Sequence, residues 1–187
     1  MNTPAKQPTG KLPAVAQSQD EPGQYLTFLL RNEMFAIGIL HIKEILEYGQ
    51  LTTVPMMPAF IRGVINLRGA VVPVVDLATR FGGVANEITK RSCIVIIEVT
   101  TEDGQSDIGV VVDSVSEVLE IPDSEIEPAP AFGAKIRADF IQGMGKVNGK
   151  FVIILSVDRV LSVEEMAAIS AVNSNGDVVA TLVTHQG

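Results

Sequence analysis

The stretch FIRGVINLRGAVVPVVDL (Phe60–Leu77) returns 80 residues later, without a gap, as FIQGMGKVNGKFVIILSV (Phe140–Val157). Phe60 aligns with Phe140, Ile61 with Ile141, Gly63 with Gly143 and Gly69 with Gly149, and positions 71, 72, 74, 75 and 77 all meet apolar partners. Upstream, AIGILHIKEILE (36–47) resembles DIGVVVDSVSEVLE (107–120) once two residues are allowed as an insertion. A proline cluster follows each copy, PMMP in the first and PAP in the second. Three matches in the same order predict two similar units, 24–85 and 91–160, packed against each other.

The runs YLTFLL, MFAIGIL, GVINL, AVVPVVDL, CIVIIEV, DIGVVV and KFVIILSV have strand lengths and β-branched enrichment, and turn residues bound them. Each unit holds about five such strands, too few for two stacked sheets, and a small closed barrel hides its edges best. The expected fold is all-β, two five-stranded barrels packed together with short helices. HIKEILEYG predicts one or two helical turns. SVDRVLSVEEMAAIS predicts a C-terminal helix, with Val160, Leu161 and Val163 on the core and Glu164 and Glu165 in water. Pro73 cannot donate to a ladder, so its strand should be an edge or be bulged there. Residues 1–22, with prolines at 4, 8, 13 and 22 among polar neighbours, read as a flexible tail. The folded body then spans 23–168, and 169–187 form a second tail.

Composition narrows the function. A net charge of −8 and no basic stripe argue against nucleic acid, whose binding draws on phosphate neutralisation. No apolar run is long enough to span a membrane, and the N-terminal stretch lacks a secretion-signal core, so a cytoplasmic protein without membrane insertion is expected. Cys93, the only cysteine, lies in a strand-like apolar run and reads as a buried, inert thiol. His41 and His185 have no metal-like spacing, GMGKV lacks the form of a phosphate loop, and G-x-G-x-x-G and G-x-S-x-G are absent. Glu117, Glu120, Asp123, Glu125 and Glu127 lack the calcium-loop pattern and read as a solvated acidic face. No enzyme, cofactor or metal is expected.

The repeat isolates one position. The second copy turns on Val147-Asn148-Gly149-Lys150, a ready hairpin signal, whereas the first puts Arg68 where Asn148 stands. Arginine at positive φ costs roughly 1 kcal/mol relative to Asn. Either the turn differs and Arg68 is solvated, or the backbone is kept and Arg68 faces a partner. Ile42, Ile45 and Leu46 read as core by spacing. The methionines of PMMPAF suit gap-filling or adaptable binding, and Phe132 in PAPAFGA is either a lid on the core or an exposed anchor.

The residues FIRGVINLRGAVVPVVDLATRFG, preceded by IGILHIKEILE and VPMMPAF, resemble the CheW family of bacterial chemotaxis scaffolds. DIGVVVDSVSEVL, IEPAPAFG and FIQGMGKVNGKFVIILSVDRVL fit the same family, and the resemblance covers about 24–168. It implies two SH3-like five-stranded barrels. It also implies a non-enzymatic adaptor that joins the cytoplasmic tip of methyl-accepting chemoreceptors to the regulatory domain of the histidine kinase CheA, in arrays at the inner face of the membrane. The matching receptor-facing positions are Ile42, Glu44, Ile45 and Arg68, with Leu161 from the C-terminal segment. The matching kinase-facing positions are Gly63, Pro73, Ala131 and Phe132. A scaffold of a parallel chemosensory pathway, for surface motility or development, fits the same residues. A small-ligand-binding barrel would instead need a sealed apolar cavity.

Overall fold

A computed structural model describes residues 22–129 and 136–167. Among these described residues eleven strands follow one another: β1 Gly23–Leu30, β2 Glu33–Gly38, β3 Ile42–Glu47, β4 Ile61–Leu67, β5 Ala70–Asp76, β6 Cys93–Thr101, β7 Gly104–Val112, β8 Ser114–Ile121, β9 Ile126–Glu127, β10 Ile141–Val147 and β11 Lys150–Leu155. Two one-turn helices, α1 Leu77–Arg80 and α2 Val157–Val160, follow β5 and β11, and residues 163–167 are helical. The strands form two sheets, ordered β8-β1-β2-β11-β10-β9 and β3-β6-β7-β5-β4.

The two orders are the same list under exchange of repeats. β1, β2, β11 and β10 of the first sheet take the places that β6, β7, β5 and β4 take in the second. Even the irregularities agree. The β4–β5 pairing shifts register between Ile61 and Gly63, and the β10–β11 pairing between Ile141 and Gly143. The isolated Thr52–Val64 bridge stands where β9 pairs with β10.

The sequence units 24–85 and 91–160 are not, however, the two sheets. Each sheet combines the leading hairpin of one repeat, β1–β2 or β6–β7, with the later strands of the other. The links force this. Only Asp113 separates β7 from β8, and only the 3-10 turn Ile39–His41 separates β2 from β3. Neither link doubles the chain back beside the strand it leaves, so each strand runs on into the neighbouring sheet.

This crossing explains the continuous apolar runs. In β1, Leu26 and Phe28 face the large core between the sheets, while Tyr25 faces a smaller core with Ala36, Ile121 and Ile154. In β6, Val95 and Ile97 face the large core, and Ile94 and Ile96 a second small one with Val72 and Val74. Strands buried on both faces lose the polar alternation of a surface sheet. At the centre, the repeat mates Phe60 and Phe140 flank the Arg80 guanidinium, 5.3 and 4.8 Å from their ring centroids. Arg80 Nε donates to the carbonyl of its own repeat mate, Val160, at 2.9 Å.

Three local expectations change. HIKEILEYG is mostly the strand β3, because its backbone pairs with β6 from Ile42 to Glu47. The C-terminal helix is broken into α2 and 163–167, and Glu165 is not in open water. Its carboxylate lies 3.3 Å from the Arg80 guanidinium and also pairs with Arg137. β5 is neither an edge nor bulged at Pro73, since β4 and β7 flank it. Its ladder to β7 begins at Val74, so the missing N–H of Pro73 falls before that ladder.

Candidate functional site

The turn between β4 and β5 settles the question posed by Arg68. Arg68 and Gly69 have φ of 52° and 86°, and Asn148 and Gly149 have 51° and 76°. The backbone is kept, and arginine occupies the left-handed position that Asn occupies more easily. Asn66 steadies the turn, its Oδ1 accepting from the Gly69 N–H at 2.9 Å.

The strain coincides with a specific contact. β3 and β4 are the two edges of their sheet, and its curl brings the β4–β5 turn to β3. The two terminal nitrogens of Arg68 lie 2.8 and 3.2 Å from the two carboxylate oxygens of Glu44. This two-pronged pairing fixes the plane of the guanidinium as well as its position. The Arg68 side chain is 76% exposed, so the pair adds well under 1 kcal/mol to stability and leaves donors facing outward. Beside it, Ile45 is 44% exposed, and Leu40 in the turn before β3 is 97% exposed. Ile42 is half-buried and packs on the large core. Ile42, Glu44, Ile45 and Arg68 all lie on β3 and the adjoining turn, but Ile42 and Ile45, opposite Ile97 and Val95, stand on the face turned to the large core, whereas Glu44, opposite Ile96, stands with Arg68 on the other.

Lys43 also belongs to this region, and it carries no recognisable motif. Its ammonium lies 3.1 Å from both Asp107 oxygens and 3.4 Å from Glu98 Oε2. The Asp107 hydrogen bond, followed by weaker help from Glu98, holds the amine above its usual range. Val71 is exposed on the β5 side of the same turn. Lys43 depends on a sheet pairing more than 50 residues away, which local sequence does not reveal; a hydrophobic residue at the start of a hairpin strand could have drawn attention to Val71.

Other expected positions separate. Leu161 is 2% exposed within the large core, so its side chain is structural and is not part of a receptor-facing surface. Gly63 is buried as well, and a Cβ there would stand 2.5 Å from the Thr52 carbonyl oxygen. Its role is to admit the 51–52 segment, whose Thr52 exchanges two backbone hydrogen bonds with Val64. Pro73 is half-buried within the sheet. Ala131 and Phe132 lie outside the described residues.

On the opposite sheet, the matching turn borders a cleft of about 740 Å³. Leu29, Met34, Leu119 and Val152 line its floor, and the exposed residues Asn32, Glu33, Asn148 and Lys150 its rim. It opens to solvent and is not a sealed ligand chamber. Among the described residues, no group of three or more His, Cys, Asp or Glu could hold a metal, and no helix is long and apolar enough to cross a membrane.

Two packed sheets thus carry exposed apolar side chains and a two-pronged ion pair at one rim. The chain belongs to the CheW-like domain family, whose model matches residues 24–165. It is 35% identical over 149 residues to the chemotaxis protein CheW of Klebsiella aerogenes, covering 80% of this chain and 87% of that one. The chemotaxis protein CheW of Rhizobium meliloti is 32% identical, over 78% of this chain and 91% of that one. Protein FrzA of Myxococcus xanthus is 28% identical, over 83% and 94%. The crystal structure of the scaffolding protein TtCheW from Thermoanaerobacter tengcongensis superposes with a TM-score of 0.68 at 34% identity, covering 74% of this chain and 87% of that one.

Proposed function

We propose that this chain is a non-enzymatic adaptor that couples methyl-accepting chemoreceptors to the histidine kinase CheA. The observation that carries this reading is the Glu44–Arg68 pair beside exposed Ile45, in a chain of the CheW-like family. A receptor tip is a helical hairpin, and an amphipathic helix docks on a surface with apolar contacts and a few fixing charges. Ile42 and Ile45, on the other face of β3 from Glu44, supply the apolar contacts, so the helix lies along the open edge of this edge strand and touches both of its faces. Arg68 supplies donors already oriented by Glu44, ready for a receptor carboxylate or a helix C-terminal carbonyl. The kinase's regulatory domain docks elsewhere, with Ala131 and Phe132 among its contacts. The protein would then work in the cytoplasm, within receptor arrays. A matching role in a parallel chemosensory pathway is compatible with the similarity to Protein FrzA.

The test is kinase autophosphorylation reconstituted with receptor-bearing membranes. Activation should require receptor, kinase and this protein together. Arg68→Glu should lower receptor association on the order of tenfold while shifting Tm by less than about 3 °C. No activation by folded protein would reject this kinase pathway, and a large Tm loss in Arg68→Glu would make Arg68 a structural residue.

A further inference from the structure

Lys43 is the extra residue of a β-bulge. β3 meets β6 through Ile42 opposite Ile97 and then Glu44 opposite Ile96, which leaves Lys43 without a partner of its own. A single extra residue inverts the alternation of everything beyond it. Ile97 faces the large core between the sheets, whereas Ile96 faces the small core inside its own sheet. The bulge therefore puts Ile42 on one face and Glu44 on the other, the face that Arg68 reaches. In an unbulged strand, Ile42 and Glu44 would share a face, and the carboxylate would point away from Arg68.

The repeat shows what such a bulge needs. The matching shift lies between β1 and β8, where Leu26 and Phe28 pair with Val118 and Val115. There, fully buried Thr27 holds the bulge from inside. Its hydroxyl donates to the Glu117 carbonyl at 2.8 Å and accepts from the Glu117 N–H at 3.2 Å. In the other sheet Ile96 stands in place of Thr27 and has no hydroxyl to offer. Glu98 and Asp107 stand directly opposite each other on β6 and β7, where like charges repel. The Lys43 ammonium lies on both carboxylates, 3.4 and 3.1 Å away. It cancels that repulsion and holds the bulged residue outward. We infer that Lys43, clamped between Glu98 and Asp107, is a positioning residue that sets the β3 bulge and so aims Glu44 at Arg68.

This rests on reading the Glu44–Arg68 face as the receptor contact, and the experiment separates the two. Three variants are compared with wild type: Lys43→Met, the conservative Lys43→Arg, and the double change Glu98→Gln/Asp107→Asn, which keeps the ammonium but weakens its clamp. Two quantities are read, the NMR shift of the Glu44 carboxylate carbon and the affinity for a receptor-tip fragment. Lys43→Met and the double variant should both move the Glu44 signal toward its position in Arg68→Ala. Both should also weaken fragment binding roughly fivefold, with Tm changed by less than about 3 °C, and Lys43→Arg should match wild type in both. An unmoved Glu44 signal in Lys43→Met overturns the inference. So does binding lost in Lys43→Met but kept in the double variant, which would make Lys43 a direct contact. If wild type itself fails to bind the fragment, the coupling reading falls, and the carboxylate signal alone decides the role of Lys43.

Discussion

The two turns at Arg68 and Asn148 have nearly the same backbone and opposite surroundings. Both are left-handed two-residue turns, each beside a strand bulged at the matching point. Around Arg68 the polar side chains are paired, with Glu44 on Arg68 and Glu98 and Asp107 on Lys43. The residues that replace these in the other sheet are Glu117, Asn148, Leu29, Met34 and Ser116. Two carboxylates and an ammonium have become Leu29, Met34 and Ser116, and an open apolar-floored cleft lies there. A shared backbone plan thus carries two unlike surfaces, because the same bulge is held from inside by Thr27 in one sheet and from the rim by Lys43 in the other. The charged rim is the one proposed to meet the receptor.

The comparison breaks first at its glycines. Gly63 and Gly143 are repeat mates, but an added Cβ meets the Thr52 backbone carbonyl at the first and the Ile126 Cγ2 at the second, each at 2.5 Å. A side-chain methyl can swing aside and a bridged carbonyl cannot. Gly63→Ala should therefore cost about 3 kcal/mol and Gly143→Ala about 1–2 kcal/mol, measured by denaturant unfolding. Equal losses would mean that the 51–52 segment yields as readily as a side chain.

Thr27 gives a smaller effect confined to one sheet. Thr27→Val keeps the shape and removes the hydroxyl that serves both the Glu117 N–H and carbonyl. It should cost about 1–3 kcal/mol and speed hydrogen exchange at the Glu117 amide without altering exchange at Glu44. Faster exchange at both strands would show that the two bulges are not held independently.

The smallest expected effect concerns pH. Hydrogen bonding from Arg137, then the Arg80 interactions, hold the Glu165 carboxyl below its ordinary value of 4.5. A carboxyl lowered in the folded state contributes stability above its unfolded value, and that contribution is lost as pH falls below 4.5 through the folded value. Glu165→Gln should flatten the fall of stability with acid in that window and change little at pH values where both states are ionised apart from a constant offset. An unchanged slope would show that Glu165 titrates alike in folded and unfolded chains. This site has no counterpart in the first repeat, so it reports how the C-terminal segment closes over Arg80.

Much of this was legible from local pattern. The offset of 80 residues identified the mated hairpins, and the Arg68–Asn148 contrast pointed to a residue kept against its turn preference. Turn chemistry and strand patterning act over a few residues, so a sequence displays them directly. Leu161 carried two readings, core by pattern and receptor-facing by resemblance, and Lys43 was not legible in this way. Leu161 follows a helical turn and could face either way until the large core covered it. Lys43 became meaningful only when Glu98 and Asp107 arrived beside it from β6 and β7.

By itself, the sequence determined the number of repeats, most of the strands within them, and the paired turns at Arg68 and Asn148. Only the tertiary structure decided which hairpin joins which sheet. The leading hairpins of the two repeats have similar apolar runs, so composition does not choose between their possible partners. The short links at 39–41 and Asp113 make that choice by steering each chain segment into the other sheet. With that crossing come the burial of both strand faces, the Arg80 contact between Phe60 and Phe140, and the place where Glu44 meets Arg68.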